Sequence, residues 1–288
     1  AAVFIIGIII RAVNVASAPM HLRWELYPVA HEGGKRAAYG GSFMEELEWW
    51  NKKREQNKAG ELTVMLPEIF LLKGLWEFNR GMWLPSFLLH HGVYWSILMA
   101  FLMVIYSIFN LELLLPVIKV VGIVGYVAGT VGAGMLIIMR LTSNKLKQFS
   151  TFDHYFNLGF LMAIFVVGLI SAFASTQHFE YMGYFFAGFF GMGFVPITGW
   201  VMLHILLAVL FVAYLPFTHM THFFTKYFTY HSVRWEDEPN IKGGKLEKKI
   251  DQVLKYPVGW KAKHLGADGT KNWADIATSE VPDDKQEK

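Results

Sequence analysis

The chain has 288 residues, of which 54% are hydrophobic and 17% are charged, and its formal net charge at pH 7 is +3. This share of apolar residues exceeds that of an ordinary soluble domain and predicts an integral membrane protein that contacts lipid rather than nucleic acid. The sequence contains no cysteine. Disulfides, thiolate-ligated iron–sulfur clusters and covalently attached c-type haem are therefore excluded.

The chain begins with an apolar stretch, residues 1–11, that is too short to cross a bilayer. We expect it to be the end of a first membrane span, because the chain does not start with Met. The alternative is the remnant of a signal peptide, but the stretch lacks a basic leader and a clear small-residue cleavage site.

Residues 12–85 form a polar insertion with an aromatic and charged run over residues 21–32. A helix-like stretch lies near residues 43–58, with Glu early and Lys later, which matches the helix dipole. The insertion is either a solvated segment or a docking platform for a cytoplasmic partner, because aromatic residues in polar surroundings are typical interface anchors.

Four later stretches are long and apolar enough to cross the bilayer as helices. With the incomplete first span they predict an all-α bundle of five transmembrane helices, in which residues 86–230 form the main membrane domain. The four predicted spans are residues 86–109, 114–139, 155–176 and 195–217.

The basic residues indicate the orientation of the bundle. All Lys and Arg except Arg11 and Lys119 fall in residues 12–85, residues 140–154 and the tail after residue 218. Basic loops face the cytoplasm, so we expect the N-terminus outside and the tail, residues 231–288, inside. The tail is lysine-rich and is either loosely ordered or a partner platform; its tryptophans are Trp235, Trp260 and Trp273.

Two histidines near the end of the chain, His204 and His222, are eighteen residues apart in a mostly apolar stretch. Five turns of one helix would place both imidazoles on the same face, about 27 Å apart. A polar side chain inside a bilayer needs a partner, which is a cofactor, a metal or a polar group of a neighbouring helix. The spacing suits two stacked haems, with His90 or His91 as an opposite ligand.

The predicted topology brings the start of the span at 86–109 to the cytoplasmic level of His219 and His222. His90 and His91 point about 100° apart, so only one of them can face a haem there. His219 lies about 60° off the stripe shared by His204 and His222. It either hydrogen-bonds a haem propionate or extends towards water.

The runs Met202-Leu203-His204 and Leu215-Pro216-Phe217, followed by His222, resemble the last span of the dihaem b cytochrome subunits of respiratory nitrate reductases. The resemblance implies two b haems, with His204, His222 and His91 as iron ligands; His91 is favoured over His90 by the Gly92 that follows. Further segments resemble the same family; they are residues 2–7, Leu88–Gly92, Leu115–Lys119 and Ser175–His178.

The chain departs from the family pattern in the second span. The family carries another histidine there, ten residues after the first, whereas this chain has Ala100 or Phe101 at that place. The haem at His204, which the predicted topology places in the outer half of the membrane and which we call the outer haem, therefore lacks its expected sixth ligand. His178 or a thioether could fill this position, or His204 binds alone in a five-coordinate haem, which we favour. The methionines available on the second span are Met99 and Met103.

Two further sites stay open. The resemblance implies a quinol pocket beside Lys119, although Lys119 could instead extend towards lipid headgroups. Glu112, seven residues earlier in the same loop, is a candidate proton acceptor. His154, beside Asp153, is either a haem-propionate or proton-path group or, more economically, has no such role and lies beside a plain helix cap formed by Asp153 with Asn157. The remaining histidines are expected at the surface; they are His21, His31, His231 and His264.

The insertion, through residues 21–32 and 35–42, is similar to cytochrome b subunits of the Dsr and heterodisulfide-reductase-like membrane complexes. This resemblance implies an iron–sulfur partner on the cytoplasmic side, further membrane and periplasmic cytochrome subunits, and electron delivery from menaquinol to a disulfide or trisulfide. We expect a subunit of a prokaryotic inner membrane. The alternatives are a nitrate-reductase-type cytochrome, a metal-ion transporter and a membrane anchor without a cofactor.

Overall fold

A computed structural model describes residues 1–17, 46–53, 57–191, 196–197, 199–233 and 242–280. The described chain is predominantly α-helical and divides into two compact units. Unit 1 comprises Ala1–Phe4 and Met65–Pro216, and unit 2 comprises Ile5–Val64 and Phe217–Lys288. The runs 21–32 and 35–42, and with them His21 and His31, lie outside the described residues, as does Trp235.

The helices are numbered here in chain order. Between them, single 3-10 turns form at Trp49–Asn51, Glu112–Leu114, Leu215–Phe217, His219–Thr221 and Lys263–Leu265. The α-helices are α1 (Ala2–Ser17), α2 (Lys58–Phe70), α3 (Lys73–Phe78), α4 (Arg80–Phe109), α5 (Leu115–Thr142), α6 (Asn144–Gln148), α7 (Phe152–Ala174), α8 (His178–Phe189), α9 (Gly199–Tyr214), α10 (His222–Val233), α11 (Lys245–Leu254) and α12 (Trp273–Thr278).

Four helical segments are long and apolar enough to cross a membrane, which confirms the predicted all-α membrane character. They are Arg80–Phe109, Glu112–Thr142, Phe152–Ala174 and Gly199–Phe217. Helix α1 is apolar but shorter, and it continues to Ser17, six residues beyond the limit expected at residue 11.

The long helices of unit 1 pack in a chain in which α4 contacts α5, α5 contacts α7, and α7 contacts α9. Glycines allow α4 and α5 to touch backbone to backbone. A Cβ placed on Gly92 would lie 2.4 Å from the Cα of Gly129, and one on Gly132 would lie 2.3 Å from the Leu89 nitrogen. Small residues at such contacts give close packing between helices in a bilayer, where water exclusion does not drive association.

The expectation of one regular helix from His204 to His222 is wrong. Helix α9 ends at Tyr214, two 3-10 turns follow, and α10 begins at His222. Pro216 lies at this break; it lacks a backbone N–H and disfavours helical geometry in the residue before it. The five-turn geometry calculated for the two histidines therefore does not apply.

Two other local expectations are also corrected. Of the helix expected near 43–58, the described residues 46–53 contain only the 3-10 turn Trp49–Asn51, and regular helix begins at Lys58. The span predicted at residues 155–176 ends at Ala174, and the segment Ser175–His178, which resembles the end of the family's fourth span, leads into the separate helix α8.

The tail in unit 2 is folded over residues 242–280. Two short antiparallel strands, β1 (Lys261–Ala262) and β2 (Ala267–Asp268), lie between α11 and α12. Three apolar side chains of this region are buried; they are Leu246, Val258 and Ala267. The described part of the tail is thus a small ordered structure.

Candidate functional site

His204 lies inside unit 1 with only 2% of its surface exposed. It comes from α9, and its neighbours come from two other helices. The ring centroid of Tyr126, on α5, is 5.1 Å from that of His204 at an angle of 85°, and the ring of His178, on α8, is 5.5 Å away at 36°. Helices α5 and α8 thus each place a ring against the buried imidazole of α9.

His178 is fully buried at the first residue of α8. Its Nδ1 lies 2.8 Å from the hydroxyl of Ser171, near the end of α7, and its Nε2 lies 3.4 Å from the hydroxyl of Tyr126. Both ring nitrogens therefore have polar partners, which fixes the orientation of the ring.

Tyr126 connects the cluster, and its side chain is fully buried. Besides His178, its hydroxyl contacts the thioether sulfur of Met99 at 3.4 Å and that of Met182 at 3.7 Å. The sequence left Met99 as a candidate haem ligand, but its sulfur contacts the Tyr126 hydroxyl in this structure. Met103, the other candidate, is fully buried on α4, where its carbonyl accepts a hydrogen bond from Ser107.

The Nδ1 of His204 is buried and has no hydrogen-bond partner within the described part of the chain. The other ring nitrogen of His204, Nε2, faces Gly168 of α7. A Cβ at position 168 would lie 3.0 Å from this nitrogen, so only glycine lets α7 come this close to the imidazole without strain. A buried polar nitrogen without a partner is unusual and costly. It fits the donor set of a haem, whose iron would take one imidazole nitrogen.

His90 and His91 lie on the first half of α4, and each is oriented by its own helix. Nδ1–H of His91 donates to the Phe87 carbonyl at 3.0 Å, and Nδ1–H of His90 donates to the Ser86 carbonyl at 2.7 Å. His91 also stacks on Phe87 with centroids 3.8 Å apart. A backbone carbonyl on Nδ1 orients Nε2 as the metal-binding nitrogen, as in metal-ligating histidines. Both residues therefore fit an iron ligand, and the hydrogen bonds do not select between them.

His219 and His222 belong to unit 2. Nδ1 of His222, the first residue of α10, lies 3.3 Å from the His219 carbonyl. His222 is therefore oriented by a backbone carbonyl in the same way as His91, although the contact is longer. Both side chains are exposed within the chain.

The cap expected from Asp153 and Asn157 is not formed; the start of α7 is capped instead by a capping box between Thr151 and His154. Nδ1 of His154 lies 3.2 Å from the Thr151 backbone nitrogen and 2.7 Å from the Thr151 hydroxyl. The expected partner Asn157 instead accepts a hydrogen bond from Tyr214 at 2.9 Å.

Lys119 and Glu112 line one cavity of about 530 Å³ in unit 1, where the end of α4, the start of α5 and α8 meet. The partner of Lys119 is Glu180 of α8, whose Oε1 lies 3.4 Å from the lysine Nζ. The other residues around the cavity are Tyr106, Leu115, Pro116, Gln177, Tyr181 and Tyr184.

Sequence reasoning missed Glu180, Tyr126 and Ser171. For Glu180 a signal was present, since it is the only charged residue between positions 155 and 217. Tyr126 carried no such signal, because tyrosines are common in membrane spans and its burial depends on how α5 is rotated in the bundle.

The chain matches no family model, no curated protein and no solved structure.

Proposed function

We propose that this chain is the membrane cytochrome b subunit of a respiratory complex, which passes electrons from menaquinol to an iron–sulfur protein on the cytoplasmic side. The main support is His204, a buried imidazole whose Nδ1 has no partner in the described chain. An unsatisfied polar nitrogen among apolar helices destabilises the fold, whereas a haem iron would bind it.

Two b haems are assigned to this subunit. The resemblance implies His91 and His222 as iron ligands of the haem on the cytoplasmic side, the inner haem, and His204 is assigned as the single protein ligand of the outer haem. His178 is left out of the ligand set because Ser171 and Tyr126 already contact its two nitrogens. When bound, the haems supply the one-electron chemistry that the polypeptide itself lacks.

The residues around the ligands orient them and exclude water. The Phe87 carbonyl keeps His91 in the tautomer with a lone pair on Nε2, and the Phe87 ring packs on the imidazole. His90 and His219 are assigned to the surroundings of the inner haem. Tyr126, whose ring lies against His204, and Met99, which contacts the Tyr126 hydroxyl, are both buried and give the outer site a dry lining.

Quinol binds in the cavity that contains Lys119 and Glu112. A quinol oxygen needs a fixed hydrogen-bond donor at the edge of the hydrocarbon, and the Lys119 ammonium supplies one. We place this cavity on the outer side, opposite the basic segments, so that protons leave outwards. Because only electrons then cross inwards, turnover is electrogenic.

The remaining parts of the proposal follow the resemblance. Five spans cross the inner membrane of a prokaryote with the N-terminus outside, and residues 12–85 and the tail face the cytoplasm. There they dock an iron–sulfur subunit of the heterodisulfide-reductase-like type, which delivers electrons to a disulfide or trisulfide. Further membrane and periplasmic cytochrome subunits complete the complex.

Anaerobic addition of menadiol to the purified, haem-loaded chain tests this function. We expect the absorption bands of reduced b-type haem to appear, and electron paramagnetic resonance of the oxidised chain to include a high-spin ferric signal from the outer haem. A pigmented chain that menadiol does not reduce would contradict the quinol assignment, and two low-spin haems would contradict the single-ligand assignment of His204.

A further inference from the structure

The cavity beside Lys119 contains an acidic residue to which the proposed function gives no role. Glu180 Oε1 lies 3.4 Å from Lys119 Nζ, whereas a tight charge-assisted hydrogen bond measures about 2.7–2.9 Å. The pair is therefore loose. The ammonium group has three donors and the carboxylate has two acceptor oxygens, so both can bind a further group.

Glu180 is better placed than Glu112 to act together with Lys119. Its side chain is 23% exposed and that of Lys119 is 39% exposed, whereas Glu112 lies at the exposed rim. Partial exclusion of water strengthens hydrogen bonds and charge interactions at the pair. The three tyrosines around the same cavity are Tyr106, Tyr181 and Tyr184.

Helix α8 also connects the cavity to the buried cluster. Glu180 follows His178 by two residues, and the His178 ring lies against that of His204. A quinol head group held by Glu180 would thus be bound by the same short helix that contacts the proposed haem ligand.

On the basis of the proposed function, we infer that Glu180 is the base that deprotonates the bound quinol, with Lys119 holding the same oxygen. Because their side-chain atoms are 3.4 Å apart, one hydroxyl oxygen can contact both. Lys119 donates an N–H to that oxygen, and Glu180 accepts the hydroxyl proton.

The O–H bond then breaks heterolytically. The proton moves to the Glu180 carboxylate, and both bonding electrons remain on the oxygen. The resulting quinolate anion is stabilised by the positive charge of Lys119. This step consumes no oxidant, and the anion gives up electrons more readily than the neutral quinol.

Anaerobic calorimetry on the full chain in lipid nanodiscs tests this role by comparing menadiol with its dimethyl ether, which has no hydroxyl proton. We expect the wild type to bind menadiol about tenfold more tightly than the ether, because only menadiol can donate to Glu180. E180Q should lose about tenfold in menadiol affinity and most of this preference, while E180D should keep the preference.

The matched control is E77Q, since Glu77 forms a similar loose pair with Lys73, at 3.6 Å, on α3 away from the cavity. This variant should bind both compounds as the wild type does. The inference is overturned if E180Q keeps the wild-type preference, or if E112Q abolishes the preference and E180Q does not.

The wild-type comparison needs no variant, so it remains decisive if E180Q fails to fold. A wild type that binds menadiol and the ether equally overturns the role of Glu180 alone. A wild type that binds neither compound contradicts the quinol site, and with it the proposed function.

Discussion

The imidazole of His178 lies 5.5 Å from that of His204, and the two rings differ in how their nitrogens are satisfied. Ser171 and Tyr126 contact both nitrogens of His178, whereas Nδ1 of His204 has no partner in the described chain. The protein thus fixes the orientation of the His178 ring, whereas His204 has a nitrogen that a cofactor could bind. The proposal that His204 binds iron rests on this difference.

Loss of the Ser171 hydroxyl should destabilise unit 1. Ser171 is fully buried, and S171A leaves Nδ1 of His178 without its partner at 2.8 Å. We expect a loss of about 1–3 kcal/mol in the free energy of unfolding. Denaturant unfolding in a fixed detergent measures it, with S96A as the control, because the Ser96 hydroxyl bonds the Gly92 carbonyl of its own helix. Equal stability of S171A and S96A would argue against a structural role for this bond.

The backbone contact between α4 and α5 should not tolerate a methyl group. A Cβ on Gly132 would lie 2.3 Å from the Leu89 nitrogen and 2.8 Å from its Cα, so G132A should cost about 1–3 kcal/mol of stability by overpacking. Thermal unfolding followed by circular dichroism checks this value.

The neighbouring Gly134 provides the matched control for this substitution. A Cβ there would meet no atom within 4 Å, so G134A should unfold at or above the wild-type temperature. Similar unfolding temperatures for G132A and G134A would show that the two helices are further apart than described.

Acid should weaken the turn after strand β2. The backbone N–H of Thr270, then its hydroxyl and the backbone N–H of Lys271, hydrogen-bond the Asp268 carboxylate and lower its pKa to about 2. Because this pKa lies below the ordinary aspartate value of 3.8, the stabilisation is present above pH 3.8 and is lost as the pH falls through 2.

Hydrogen exchange of the Thr270 amide measures this effect. Its protection should fall between about pH 5 and pH 2, after correction for the intrinsic exchange rate, and D268N should show low protection throughout. D251N, on helix α11, is the control and should behave as the wild type. Protection that does not change with pH in the wild type would show that the Asp268 bonds do not hold the turn.

The four long spans could be predicted from sequence because uninterrupted apolar length is what a bilayer requires. The break between α9 and α10 could not be placed with the same rule. Pro216 stands inside the apolar stretch, and in a membrane helix a proline is tolerated when neighbouring groups satisfy the freed backbone. Whether it ends the helix depends on those neighbours, which the sequence does not specify.

Individual histidines could be predicted for the candidate site, but their contacts could not. His204 was singled out because an ionisable group in an apolar span needs a partner. Its neighbours Tyr126 and His178 come from two other helices, and their approach depends on the rotation and close packing of α5 and α8. Lys119 was also identified from sequence, whereas its partner Glu180 lies sixty-one positions away.

The haem content of purified wild type and H204A, determined as the pyridine haemochrome per chain, tests the central claim most directly. We predict two b haems in the wild type, one in H204A and two in the control H264A, because His264 is an exposed residue of the tail. A colourless wild type, or an H204A chain that retains both haems, would contradict the assignment of His204 as a haem ligand.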